Sequence, residues 1–398
     1  MSNANFPELV NFIQECDVKL FDEGCNSIID VIGKFIENND DDSAFYIVNI
    51  KKIVEQYEKW TEHLPRVKPF YAVKCNPNPV ITKLLNGFNI GFDCASKNEI
   101  SQIISQGTRP ENVIFANPCK ASGQIKFARS EDVDLMTFDD VHELYKIKLY
   151  HPHAKLVLRI AVDDSKSMCK FNCKFGATPS EIKNILNIAK SLELNIVGVS
   201  FHVGSNCLDA NTYYTALEDV KKVFIIAGEN GFAFKLVDIG GGFPGYDKEG
   251  GVTFEEIAEQ INKGIDDFFP EEGIEFIAEP GRYFVCSSHT LVTNIIGKKK
   301  LGDKFTYYLN DGIYGSFNCV YFDNAKPVIM PYNERDGKQY ESTVFGPTCD
   351  SIDIISESCQ LPDLAIGEWV YVENFGAYTI AAASTFNGFQ QTRCVYCF

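Results

Sequence analysis

Four short stretches of this chain combine residue types that could carry out chemistry on a small molecule. Phe70-Tyr71-Ala72-Val73-Lys74-Cys75-Asn76 puts a lysine at the end of an apolar run. An amine held there out of water loses part of its hold on a proton and becomes a nucleophile able to form a Schiff base. The same lysine could simply end its strand and reach solvent on its alkyl stem. Asp238-Ile239-Gly240-Gly241-Gly242-Phe243-Pro244-Gly245 follows another apolar run, and Glu279-Pro280-Gly281-Arg282 follows the next. Gly240, Gly241 and Gly242 expose backbone N–H groups without side-chain obstruction, as an anion site requires. Arg282 could add a charge-assisted contact. A flexible turn has the same composition. The fourth stretch, Ser200-Phe201-His202-Val203-Gly204-Ser205, holds a histidine that could stack on a bound ring or sit satisfied in the core.

Glu279 bears most on reaction class. A carboxylate beside a pyridine nitrogen favours its protonated form and makes the ring an electron sink for a carbanion. The other reading of Glu279 is an ion pair with Arg282. Arg159 fits the same pocket either as a cofactor contact or as a salt-bridge partner.

Such residues need elements that aim them at one place. Short apolar runs occur at Pro69–Val73, Ile90–Cys94, Val113–Asn117, Asp134–Phe138, Leu156–Ile160, Ile196–Val203, Leu236–Ile239 and Glu275–Ala278. Stretches such as Ser180–Leu194 and Phe254–Phe269 lie between them, with apolar residues recurring every three or four positions. This alternation predicts a parallel (β/α)₈ barrel of the α/β class, with a doubly wound open sheet as the alternative. A barrel enzyme does its chemistry at the C-terminal ends of its strands. Those ends carry Lys74, Asp93, Asn117, Asp139, Arg159, His202, the triple glycine and Glu279, a plausible ring around one pocket. The glycine and Glu279–Arg282 motifs follow the last two strands, where barrels recurrently bind phosphate. After them, Thr290–Ile296, Phe305–Leu309, Ser342–Phe345 and Trp369–Glu373 read as strands separated by turns. The expected organisation is an N-terminal segment 1–46 joining a β-domain, a barrel 47–283, and an all-β C-terminal domain 284–398. Ala44–Ile50 is an extra strand of that second domain or a lead out of it.

Composition narrows the function. The 398 residues carry a net charge of −17 and are 45% hydrophobic. Nucleic acid and anionic membranes need clustered basic residues, so neither is an expected partner, whereas a cationic substrate would be drawn in. The 14 cysteines are scattered through a long chain, which favours reduced cytosolic thiols over a disulfide framework. Cys394 and Cys397 form a lone CxxC with no second pair, so no metal is expected. No apolar run approaches the roughly 20 residues of a membrane helix, and the N-terminus lacks a basic-then-apolar leader. The expected location is the cytoplasm.

Taken together, the motifs resemble the eukaryotic ornithine decarboxylase family from about residue 44 onward. The resemblance rests on Phe70–Asn76, Asp93-Cys94-Ala95-Ser96 with Glu99, Phe115–Lys120, Ser200–Ser205, the triple glycine and Glu279–Arg282. Asn310–Asn318, Gly346-Pro347-Thr348-Cys349-Asp350 and Glu373–Gly388 extend it. It implies an alanine-racemase-like barrel plus β-domain, pyridoxal 5'-phosphate as cofactor, and a head-to-tail homodimer that converts ornithine to putrescine and carbon dioxide. By the same resemblance Lys74 holds the cofactor covalently, and Asp93, Arg159 and His202 frame its ring. Ser205, the glycines 240–242, Pro280, Gly281, Arg282 and Tyr378 surround the phosphate, and Glu279 pairs with the ring nitrogen. Cys349, a proton donor, and Asp350, a contact for the substrate's distal amine, come from the other subunit, with Asp323 as the second carboxylate. Lys174 with Asp353 and Asp139 with Lys299 are the implied cross-subunit ion pairs.

One departure stands out. Phe322 replaces the tyrosine usual before the distal carboxylate and removes a hydroxyl from the substrate pocket. Vertebrate members also carry a degradation tail beyond the last motif; none is expected here. Decarboxylation of arginine, lysine or diaminopimelate is the nearest rival, since a short Asp323 leaves room for a longer substrate. A racemase fits less well, because that chemistry tends to pair the ring nitrogen with arginine. A non-catalytic homologue that binds an antizyme-like regulator would be expected to lose cofactor residues, and Lys74, Glu279 and Cys349 are present.

Overall fold

The computed structural model describes residues 12, 15, 16, 18, 19, 27–37, 41–171, 173–333, 335 and 337–398. Two compact units result: Tyr57–Tyr283, and Met1–Gln56 together with Phe284–Phe398. The first boundary falls inside helix Ile50–His63 rather than near residue 46.

In the first unit eight parallel strands close a barrel: β1 (Val67–Ala72), β2 (Gly91–Cys94), β3 (Val113–Phe115), β4 (Leu135–Phe138), β5 (Lys155–Arg159), β6 (Asn195–Ser200), β7 (Leu236–Asp238) and β8 (Glu275–Ala278). β8 pairs with β1 to close the ring. Every predicted run contains its strand or overlaps it, so the open-sheet alternative is excluded. Strands buried on both faces read as continuous apolar segments, which is why they could be seen. Phe70, Ile114, Val157, Leu236 and Ile277, one from each of five strands, meet inside the barrel. Several of the helices between strands begin at side-chain caps that satisfy their free amides. Ser96 Oγ accepts from Glu99 N at 3.3 Å while Glu99 Oε2 accepts from Ala95 N at 2.6 Å. Thr178 with Glu181 and Thr253 with Glu256 form capping boxes. Each of these caps fixes where its strand-to-helix passage ends.

The second unit is a mixed eight-stranded sheet. Phe45–Asn49 pairs antiparallel with His289–Leu301 and parallel with Arg393–Cys397, so the extra strand belongs to this sheet. Phe45, Ile47, Val292 and Tyr371 form its core with Val31 and Ile32 of helix Ile28–Glu37. Three of its strands, Met330–Pro331, Ile354–Leu361 and Arg393–Cys397, lie outside the runs read as strands. No helix among the described residues is long and apolar enough to cross a membrane.

Candidate active site

Lys74 sits in a single 3₁₀ turn, Val73–Cys75, that ends β1. Val73 and Cys75 are buried on either side, so the turn is anchored and the lysine projects. Tyr71 Oη donates to Asn76 O at 2.9 Å and fixes the exit. The Lys74 ammonium pairs with Asp93 Oδ2, at the end of β2. Asp93 is fully buried and its Oδ1 has no donor. Burial pushes this carboxyl up against the opposing pull of Lys74 and Arg159.

Arg159 ends β5 with its guanidinium 5.2 Å from the Phe175 ring centre. His202 follows β6, and its Nδ1 accepts from Gly204 N at 3.0 Å. That bond places the ring proton on Nε2. Burial, then the charges of Arg159 and Lys74, push His202 well below the ordinary imidazole value, so the ring is neutral. Phe171 packs edge-on against it at 4.9 Å.

The glycine loop is shaped so that only glycine fits. Gly240 and Gly242 have φ of 64° and 108°, where side chains are strained. A Cβ on Gly240 would lie 2.1 Å from Phe201 O, and one on Gly242 2.7 Å from Tyr213 Oη. Cβ atoms on Gly241 and Gly281 would strike His202 and Cys75. Gly240→Ala is therefore expected to cost at least about 1–3 kcal/mol. An unshifted urea midpoint for the variant would disprove the close approach. Beside this loop Arg282 Nη2 donates to Ser205 Oγ at 3.1 Å. Ser205 opens a short strand, Ser205–Cys207, paired with Ser167–Cys169.

Glu279 ends β8, its N–H bonded to Gly240 O at 2.6 Å. Its Oε1 is buried without a donor. Burial, Asp238 and Asp93 push the carboxyl well above its ordinary range. The barrel unit thus gathers Lys74, Asp93, Arg159, His202 and Glu279 around one set of strand ends, with the glycine loop, Ser205 and Arg282 at the same ends.

The remaining candidates belong to the sheet unit. Cys349 is exposed, its N–H held by Asn387 Oδ1 at 2.9 Å. Asp350 accepts from Tyr314 Oη at 2.5 Å and from Ile352 N at 3.1 Å. The Tyr314 hydroxyl holds the Asp350 carboxyl below its ordinary value, so it stays anionic. Tyr321 Oη donates to Ile352 O at 3.2 Å and ties the turn ending at Asp323 to the loop of Asp350. Phe322 is 73% exposed. Tyr378 is half-buried at φ 57°. Asp353 is buried and accepts from Ile313 N, Thr348 N and Thr348 Oγ1, so it braces its own loop. Asp139 accepts from Gly176 N at 2.8 Å. Sequence reasoning gave no role to Asp238, Phe171, Tyr314 or Asn387. Asp238 opens the glycine motif, and Tyr314 and Asn387 lie within the Asn310–Asn318 and Glu373–Gly388 motifs; Phe171 lies in none.

The barrel residues fit pyridoxal phosphate. Orphaned oxygens of Asp93 and Glu279 offer acceptors, and the side-chain-free loop beside Arg282 and Ser205 is a cradle for an anion. The chain matches, over residues 50–286, the family described as pyridoxal-dependent decarboxylase, pyridoxal binding domain. It is 46% identical to the ornithine decarboxylase of Mus pahari, over 96% of this chain and 87% of that one. It is 45% identical to antizyme inhibitor 2 of Xenopus laevis, over 97% of this chain and 88% of that one. The crystal structure of the Paramecium bursaria Chlorella virus arginine decarboxylase superposes with a TM-score of 0.89 at 36% identity, covering 93% of this chain and 100% of that one. With a lysine, a buried acid pair and a glycine cradle at the ends of its barrel strands, and relatives this similar along nearly its whole length, the chain belongs to the pyridoxal-dependent decarboxylase family.

Proposed function

We propose that this chain decarboxylates L-ornithine to putrescine and carbon dioxide, the entry step of polyamine synthesis, as a cytoplasmic homodimer. The observation that carries it is the strand-end constellation of Lys74 on buried Asp93 with Glu279 and neutral His202, in a chain this similar to an ornithine decarboxylase. Lys74 supplies the amine that anchors the cofactor, and Asp93 holds that amine in place. The flat, uncharged face of His202 supports the ring without repelling a cationic one. Arg282, Ser205 and the amides around Gly240–Gly242 and Gly281 hold the phosphate, with Pro280 fixing the turn and Tyr378 completing the set. Glu279 holds a proton on the ring nitrogen. Bound there, pyridoxal phosphate supplies the electron sink for the pair left when carbon dioxide departs.

Asp323 and Asp350 bind the substrate's distal ammonium, and Cys349 returns a proton to the α-carbon. Phe322 adds an apolar wall where a hydroxyl would otherwise contribute. Release of carbon dioxide from ornithine, lysine and arginine, measured side by side with added cofactor, tests the assignment. Ornithine should be turned over fastest; faster arginine turnover would move the chain to the specificity named for the viral relative.

Glu279→Gln is expected to keep the cofactor but lower kcat by about 10²–10³, equivalent to about 2.7–4 kcal/mol, because a neutral amide cannot stabilise a protonated ring. Unaltered turnover would leave the carboxylate a structural role only. The likeness to antizyme inhibitor 2 supports a second reading, a regulator-binding protein. Lys74, Glu279 and Cys349 favour catalysis, and an antizyme-like partner is compatible with it.

A further inference from the structure

Asp238 is an acid that the mechanism above does not use. It is fully buried at the end of β7, next to Glu279 at the end of β8. Gly240 joins the two residues: Asp238 Oδ1 accepts from Gly240 N at 2.9 Å, and Gly240 O accepts from Glu279 N at 2.6 Å. Asp238 is among the causes that push the Glu279 carboxyl up, after burial. Asp238 Oδ2 and Glu279 Oε1 are both buried and receive no donor from the chain. Two carboxylates have only acceptors to offer each other. Two adjacent buried anions without a donor would also repel strongly. One proton between them removes both difficulties.

We infer that Asp238 is a positioning residue of this site, forming with Glu279 a carboxyl pair that shares one proton, while its other oxygen pins the amide at the head of the glycine loop. This deepens the assignment of Glu279 and rests on it for its purpose. The shared proton keeps Glu279 in one orientation and places an acid proton where a ring nitrogen would dock. Asp238→Asn preserves shape and the Gly240 bond but cannot share a proton.

Other charges face the pair. Asp93 opposes its ionisation, Lys74 and Arg159 favour it, and His202 is neutral. Burial leads in pushing Asp238 up to about 7. The ordinary aspartate value is 3.8. A folded-state value above the unfolded one gives stability that is full below the unfolded value and lost as pH rises through the folded one. The pair should therefore make the folded chain less stable between about pH 4 and about pH 7.

The test uses the full-length chain without cofactor. Difference infrared spectra near neutral pH should show one protonated carboxylic-acid band that is missing from both Asp238→Asn and Glu279→Gln, since in each variant the amide donates to the remaining carboxylate. The pair's contribution to the fall in melting temperature between about pH 4 and about pH 7 should be lost in each variant, because either substitution removes the one shared proton. A band that survives in either variant, or an unchanged pH slope, overturns the shared proton. Each variant reports alone, so misfolding of one leaves the other decisive. No substrate or cofactor enters the measurement, so a failure of the decarboxylase assignment would be seen separately, as absence of carbon dioxide release.

Discussion

Lys74→Ala is expected to lower decarboxylation on the order of 10³-fold or more while leaving the fold intact. The loss is large because one amine does two things: it anchors the cofactor and occupies the Asp93 carboxylate. Removing it leaves Asp93 without its cation in a fully buried position. An orphaned buried charge commonly costs about 3–5 kcal/mol. Here burial already raises the Asp93 carboxyl, so the acid can take up a proton instead of remaining charged. The stability loss should therefore shrink as pH falls, whereas the activity loss should not. Urea unfolding and turnover, each measured across pH, separate the two effects. Borohydride treatment of the loaded enzyme should leave a pyridoxyl group on Lys74. Recovery of that label on another lysine would remove the assignment.

What could be read from the chain follows burial. All eight barrel strands announced themselves because they are covered on both faces and contain little but apolar residues. Lys74, Asp93, Arg159, His202 and Glu279 stood out because each is polar at the end of such a run, where a barrel puts its pocket. Ile354–Leu361 was hidden by Ser356, Glu357 and Ser358, polar residues on a strand at the sheet's edge. Arg393–Cys397 is short, and its place is set by pairing with Phe45–Asn49, far away in sequence. Contacts of that range also explain the site residues that were missed. Tyr314 matters because it reaches Asp350, Asn387 because it holds the Cys349 amide, and Phe171 because it packs on His202. No local pattern encodes these pairings. Asp353, implied as an intersubunit partner of Lys174, is also buried and engaged by Ile313 and Thr348 within its own chain, contacts that no local pattern announces either.

Two inactive variants are expected to make an active enzyme when mixed. Lys74 lies in the barrel unit, and Cys349 and Asp350 lie in the sheet unit. The proposed head-to-tail dimer brings the Cys349 loop of one chain to the Lys74 pocket of the other, so each site draws on both chains. In an isologous dimer of Lys74→Ala with Cys349→Ala, one site then carries both lesions and the other carries neither. Random exchange makes about half of all dimers mixed, and each has one intact site of two, so activity should recover to about a quarter of wild type. The neighbouring contacts suit this use of Cys349. Its side chain is exposed, and its amide is fixed by Asn387, so the thiol is presented from an anchored loop. Were each site built within a single chain, every site in the mixture would carry one lesion and no activity would return. Subunit exchange must be shown independently, for instance by energy transfer between labelled chains. Exchange demonstrated without recovery would refute the shared site and return Cys349 and Asp350 to the pocket of their own chain.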